Sequence, residues 1–202
     1  RAMAQAEPEV VAAMLRIVAR NLIDHDRVVR VEDMGATRLD ALAPPRDIDC
    51  AVFVGDDALV HSECQGYRDP TFTDRVFDYH LWLVLRHPKR RVRTVALWLI
   101  DPPAAQSRET ITRDDLTLKI KSVILPREPA EMFLDDPRTA CFAAGAHRGA
   151  WSVESLCDRV ARALAKGGAS WYQRHMAVVA AAMTGRYAPM VKAMEQQRLE
   201  PV

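Results

Sequence analysis

Asp49, Glu63 and Gln65 have the types and spacing of a cation site. A three-residue turn over Gly55, Asp56 and Asp57 closes an apolar strand beginning at Cys50 onto a returning strand that ends at Gln65. Pairing Val54 with Ala58 and counting back along both strands sets Asp49 opposite Glu63, and Asp47 opposite Gln65. Side chains alternate along a strand, so these four groups share one face. Like charges facing each other across a ladder repel and weaken the pairing, and a bound divalent cation removes that penalty. Mg²⁺ or Mn²⁺ suits such a site, because Mg²⁺ takes one or two carboxylates and keeps several waters. The backbone carbonyl of Cys64, between Glu63 and Gln65, is a further candidate oxygen ligand. An ion held there lowers the pKa of bound water and stabilises charge on a phosphoryl oxygen, the two requirements of phosphodiester hydrolysis. The plain alternative is an exposed hairpin whose polar face meets water.

The rest of the chain must hold this hairpin in place. Apolar residues at three- and four-residue steps (Val10, Val11, Met14, Leu15, Val18, Leu22) predict an amphipathic helix over 8–23, with Pro8 in its first turn. A short β-branched run over 28–31 reads as a strand, and 42–47, with Pro44-Pro45, as a loop or edge. Thr73 is the expected N-cap of a helix reaching Arg86, which His87-Pro88 ends. The near-continuous apolar run 92–100 predicts a strand buried on both faces, and 116–125 a further strand with alternating character. After the proline-punctuated segment 126–137, helices are expected over 153–166 and 170–183, split by Gly167-Gly168. A hairpin feeding a crossover helix into another strand makes a mixed α/β fold.

Residues Asp49-Cys50-Ala51-Val52-Phe53-Val54, His61-Ser62-Glu63-Cys64-Gln65 and Arg75-Val76-Phe77-Asp78-Tyr79-His80 together resemble the recombination-promoting nuclease (Rpn), transposase-like branch of the PD-(D/E)XK superfamily. That branch shows an Asp opening a strand, a later E-x-Q strand, a helix with R-x-x-x-Y-H, and a long apolar strand. All four occur here in order over residues 28–149. The resemblance implies a restriction-endonuclease-like fold: a mixed central sheet flanked by helices over 4–150, and a C-terminal helical extension over 151–202. It also implies a Mg²⁺- or Mn²⁺-dependent endodeoxyribonuclease acting on DNA, in recombination or mobile-element biology. Asp49 and Glu63 become metal ligands, and Gln65 occupies the position where the wider superfamily has Lys. A Gln can place water by hydrogen bonds but brings no positive charge. The superfamily's acid on the first helix has Glu9, or Glu7, as its candidate, although acidic residues at a helix start are also explained by the macrodipole.

Arg75 and Tyr79, four apart, share a helix face from which they either brace the acidic cluster, reach a phosphate, or simply stack at the surface. His80 reads as a partly buried, hydrogen-bonded histidine or as a further site group. Lys89, Arg90, Arg91 and Arg93 crowd a helix-to-strand loop that either tracks a DNA backbone or stays solvated. Trp151, Trp171 and Tyr172 read as core, and the smooth Ala- and Met-rich run 177–183 as core or a homodimer contact.

Composition sets the outer bounds. The 202 residues are 49% hydrophobic with a formal charge of +1, enough for one core and too balanced for global attraction to nucleic acid. The four cysteines lack CxxC spacing and read as small buried hydrophobes. With no long apolar run and no signal-peptide pattern, the expectation is a cytoplasmic protein away from membranes. Two other readings compete: a weak or inactive nuclease-fold module that binds nucleic acid or a protein partner, and a cysteine hydrolase using Cys64 with His61 or His80. His61 and Cys64, three apart on a strand, point to opposite faces, which argues against the second.

Overall fold

The computed structural model describes residues 7–18, 28–32 and 50–200. Its elements are α1 (Pro8–Val18), β1 (Val28–Glu32), β2 (Cys50–Val54), β3 (Ala58–Gln65), α2 (Phe72–Arg86), β4 (Arg91–Trp98), β5 (Thr110–Arg113) and β6 (Leu116–Ile124). A 3-10 turn at Leu125–Arg127 leads to α3 (Glu131–Leu134), α4 (Ala140–Ala143), α5 (Val153–Lys166), α6 (Trp171–Met183) and α7 (Tyr187–Gln196). The strands are ordered β1-β2-β3-β4-β6-β5. The β1–β2 and β2–β3 pairs are antiparallel, β3–β4 and β4–β6 parallel, and β5–β6 antiparallel. The protein is therefore α/β with a mixed sheet and mostly C-terminal helices.

The hairpin forms as the sequence dictates. Gly55 takes φ 58°, a left-handed conformation that glycine adopts without a Cβ clash, and the chain reverses over three residues to pair Val54 with Ala58. Because β4 runs parallel to β3, the chain must cross over between them, and α2 makes that crossing. Its cap lies two residues earlier than the expected Thr73. Thr71 occupies the cap position without a side-chain bond to the helix backbone, and the carboxylate of Asp69 instead accepts from the Thr71 amide at 2.9 Å.

Strand alternation divides the sheet into two faces. Ala96, Trp98, Leu118 and Ile120 join Phe72, Val76 and Phe77 beneath α2, beside a smaller group of Ala51, Phe53, Leu59, Tyr79 and Leu83. The opposite face, with Val52, Val60, Val95, Leu97 and Val123, is covered by α1 and by residues of α4 to α7 in one continuous cluster. The helices of 151–200 thus share a core with the sheet, and Ala177, Val178, Ala180 and Ala181 of α6 are buried in it. Trp171 departs from the core expectation: at the first turn of α6 it is 48% exposed and stacks on His175 at 5.0 Å.

Other differences have local causes. The helix expected over 8–23 is described as Pro8–Val18, and 19–23 lie outside the described residues, as does 42–47. The short edge strand β5 buries only Ile111 and carries little pattern to read. Helix α7 starts beyond Gly185, with Pro189 in its first turn, where a missing N–H costs nothing. Among the described residues no helix is long and apolar enough to cross a membrane.

Trp98 is fully buried, packs on Phe72 with ring centroids 4.4 Å apart, and donates its indole N–H to Ser122 Oγ at 3.2 Å. Trp98→Ala is expected to lower stability by about 3–5 kcal/mol in urea denaturation, and Trp98→Phe by markedly less. A loss below about 1 kcal/mol for the alanine variant would mean that α2 is not seated on the sheet in this way.

Candidate functional site

On β3, period-two alternation puts His61, Glu63 and Gln65 on the face beneath α2. The parallel register then sets Thr94 beside His61, Ala96 beside Glu63, and Trp98 beside Gln65. The small Ala96 leaves room for the acid, which is only 1% exposed. A carboxylate buried to that degree needs partners on both oxygens. His61 Nε2 lies 3.1 Å from Glu63 Oε1, and Arg75 Nη2 of α2 lies 3.5 Å from Oε2.

Arg75 ties the cluster together. Its Nη2 also donates to Gln65 Oε1 at 3.0 Å, and its Nη1 donates to Asp69. Asp69 is held in turn by the Thr71 amide and hydroxyl at 2.9 and 2.8 Å, while Gln65 Nε2 donates to the Tyr67 carbonyl at 2.8 Å. Burial alone would raise the Asp69 carboxyl; the Thr71 hydrogen bonds and the Arg75 charge outweigh it and hold the group below its usual range. For Arg75, burial pulls down, but Glu63 and Asp69 pull harder in the other direction, so the guanidinium is a permanent cation. Two carboxylates against one guanidinium leave the cluster with one net negative charge.

The rest of the R-x-x-x-Y-H segment gathers at the same place. Tyr79 is buried with its ring edge-on to His61, centroids 5.9 Å apart. His80 Nδ1 lies 3.0 Å from Thr94 Oγ1, which is itself 3.3 Å from His61 Nδ1. Burial first, then the nearby His61 and Arg93, push His80 down to about 4. Of the three readings of Arg75, bracing the acid is the one observed; its position over the Phe72 ring, 5.6 Å from the centroid, is secondary.

The expected hairpin register holds from Val54↔Ala58 to Cys50↔Ser62. Asp49 and Asp47 lie outside the described residues. The Gln65 carbonyl accepts from Leu99 of the β4 side, so the preceding carbonyl, that of Cys64, points toward β2. Among the described residues no three His, Cys, Asp or Glu side chains converge to hold a metal ion. Glu63 nevertheless fits as one hard-oxygen ligand, since metal-binding carboxylates are ordinarily fixed by outer hydrogen bonds of the kind His61 and Arg75 make.

Several candidates are not brought to this cluster. Glu9 is exposed on α1, which covers the other face of the sheet, and its charge acts on Arg138. Arg90 donates to the Gly55 carbonyl and lies over the Phe53 ring, and Arg91 pairs with Asp57 at 2.6 Å, so both brace the hairpin turn. Lys89 is exposed on the preceding turn. Arg93 lines a cleft of about 440 Å³ with Lys119, Lys121 and Glu109. Cys64, half-buried, sits on the face opposite His61, and burial lifts the Cys141 and Cys157 thiols to about 12 and about 11, far from thiolate chemistry. Two residues escape the sequence reading: Asp69 and Thr94. His61 entered it only as a hydrolase candidate, although the alternation that groups Glu63 with Gln65 extends to it.

His80 is neutral in the fold, whereas a free histidine takes up a proton below about 6.5. The unfolded chain therefore gains protons before the folded chain does. Stability is expected to fall as pH drops from about 6.5 toward 4, by roughly 1–2 kcal/mol after allowing for solvent screening at this half-buried position. His80→Asn should flatten that stretch of a stability-against-pH curve from urea denaturation; an unchanged slope would assign the effect to another group.

Compared with protein-family models, with curated proteins and with solved structures, the chain gives no match.

Proposed function

We propose that the chain is a metal-dependent nuclease of the PD-(D/E)XK type that hydrolyses DNA phosphodiester bonds. Asp49 and Glu63 hold Mg²⁺ or Mn²⁺, with the Cys64 carbonyl as a further oxygen ligand, and Gln65 places water. The observation that carries the reading is the bridge made by Arg75: it reaches Glu63 at 3.5 Å and Gln65 at 3.0 Å, so a permanent positive charge stands beside the E-x-Q pair. The resemblance leaves Gln65 without the charge of a lysine, and Arg75 supplies one from the crossover helix instead. The hairpin, the crossover helix and the parallel strand β4 also follow the order of the family it resembles.

Charge balance favours a cation at this place. Glu63, Asp69 and Arg75 sum to one negative charge, and Asp49, which enters on its sequence position alone, brings the total to two. When bound, a divalent ion supplies a more acidic water and a counter-charge for the phosphoryl oxygens. The protein's part is to fix Glu63 through His61 and Arg75. Gln65 uses one amide N–H on Tyr67 and has a second for water.

A second reading, a nuclease-fold module that binds nucleic acid or a protein without cutting, draws on the depth of Glu63. At 1% exposure and with partners on both oxygens, the acid is already satisfied within the protein. Incubation with plasmid and single-stranded DNA plus Mg²⁺ or Mn²⁺ separates the two readings. Wild-type protein should nick DNA, and Asp49→Ala and Glu63→Ala should each lose about 100-fold or more of that activity. Binding without cleavage would favour the module, and equal nicking by all three proteins would trace the activity to a contaminant.

A further inference from the structure

With His61 as a neutral imidazole, the hydrogen bonds around it run in one direction, which follows from counting protons. A carboxylate only accepts, so with Glu63 Oε1 at 3.1 Å the proton of His61 sits on Nε2. Nδ1 of a neutral ring is then an acceptor. Thr94 Oγ1, 3.3 Å away, donates its single proton to it. The Thr94 oxygen has become an acceptor for its other neighbour, so His80 Nδ1, at 3.0 Å, must carry a proton. The opposite direction would turn a bare His61 Nε2 lone pair toward the carboxylate.

We propose that His61 is the positioning residue of Glu63, set in its Nε2–H tautomer by Thr94 and, through Thr94, by His80. The inference rests on the nuclease reading for what Glu63 does and on geometry for how it is held. His61 is fully buried and Thr94 and Glu63 are each 1% exposed, so water cannot replace a lost member of the chain. Tyr79, edge-on at 5.9 Å, limits rotation of the imidazole. The low pKa of His80 agrees with a neutral ring bearing one proton. Fixing Oε1 in this way makes Oε2, which Arg75 reaches at 3.5 Å, the oxygen that a cation would have to share with the guanidinium. Outer partners of metal-binding carboxylates commonly change metal affinity by about 10–100-fold when removed.

Nitrogen-15 NMR of the imidazoles in the full chain near neutral pH tests the direction. His61 should carry its proton on Nε2 and His80 on Nδ1, opposite tautomers in one molecule. A proton on His61 Nδ1, alone or together with one on Nε2, overturns the inference. Calorimetric titration with Mn²⁺ tests the consequence, using wild type, His61→Gln and His61→Asn. The Gln amide nitrogen reaches the place of Nε2, whereas that of Asn reaches only the place of Nδ1. Affinity should therefore survive in His61→Gln within about 3-fold and fall by about 10–100-fold in His61→Asn. Equal affinities in the two variants, with melting temperature alone changed, would reduce His61 to a packing residue. If wild type shows the expected tautomers and takes up no Mn²⁺, the metal-centre reading falls and the oriented chain stands.

Discussion

A carboxylate beneath a helix, sealed from solvent, sets the terms for everything at this end of the sheet. Leaving Glu63 ionised without partners would cost several kcal/mol, so one charge and one hydrogen-bond donor must be delivered to it. The donor comes from two residues back on the same strand, which alternation places automatically. The charge has to come from elsewhere, and that requirement fixes where α2 crosses. Arg75 reaches Glu63 only if the helix begins near Thr71, and Asp69 holds both that beginning and the far end of the guanidinium. Gln106 then ties the Asp69 carbonyl to the segment that follows β4. A demand for neutralisation in the sheet is thus passed outward to a loop, a helix start and a distant turn.

Stability alone does not explain the arrangement. Replacing a buried ion pair with apolar side chains of similar size is often neutral or stabilising, because desolvation consumes most of the Coulomb attraction. The neighbouring positions show that the fold has that option: Ala96, Trp98 and Ile120 on the same face pack against Phe72 and Val76 with no polar group required apart from the Trp98 indole. Keeping an acid, a histidine, an amide and an arginine together where hydrophobic packing would serve is a cost borne by the fold, and it is the structural ground for reading the cluster as a site.

How much of this was legible in the sequence depends on how local each signal is. The hairpin register could be read because a three-residue turn with glycine at its first position and two flanking apolar runs leaves one pairing. The strand β4 was legible because its second half, from Val95 to Trp98, is buried on both faces and writes an apolar run. Its partner β5 was not, since an exposed four-residue edge strand has neither alternation nor apolar weight, and α3 and α4 are single turns lodged among prolines. In the site, Glu63 with Gln65 and Arg75 with Tyr79 follow from periods of two and about four. Thr94 does not, because its place beside His61 depends on the parallel β3–β4 register, a contact across 33 residues. Asp69 is a loop residue whose partner is chosen by tertiary packing. Arg90 and Arg91 misled because four cations in a loop look like one feature, while the fold assigns these two separately to a carbonyl and a carboxylate of the hairpin turn.

Under the proposed nuclease reading, having Gln65 and a helix arginine where the family it resembles has a strand lysine changes more than the source of charge. Lysine is a compact point charge that can lose its proton when buried, and so can take part in proton transfer. Arginine cannot, and Asp69 and Glu63 push Arg75 further from deprotonation. Its planar fork instead engages Gln65 and Asp69 at once, which orders the amide beside the acid. Neither Gln65 nor Arg75 can accept a proton from water. Among the described side chains bonded to this cluster, the groups able to do so are the carboxylates and His61, and the Nε2–H of His61 is already directed at Glu63. On the proposed nuclease reading, two duties that one lysine could combine are therefore separated: charge and orientation belong to the helix, and the handling of protons lies with the acids or with the substrate's own phosphate oxygens.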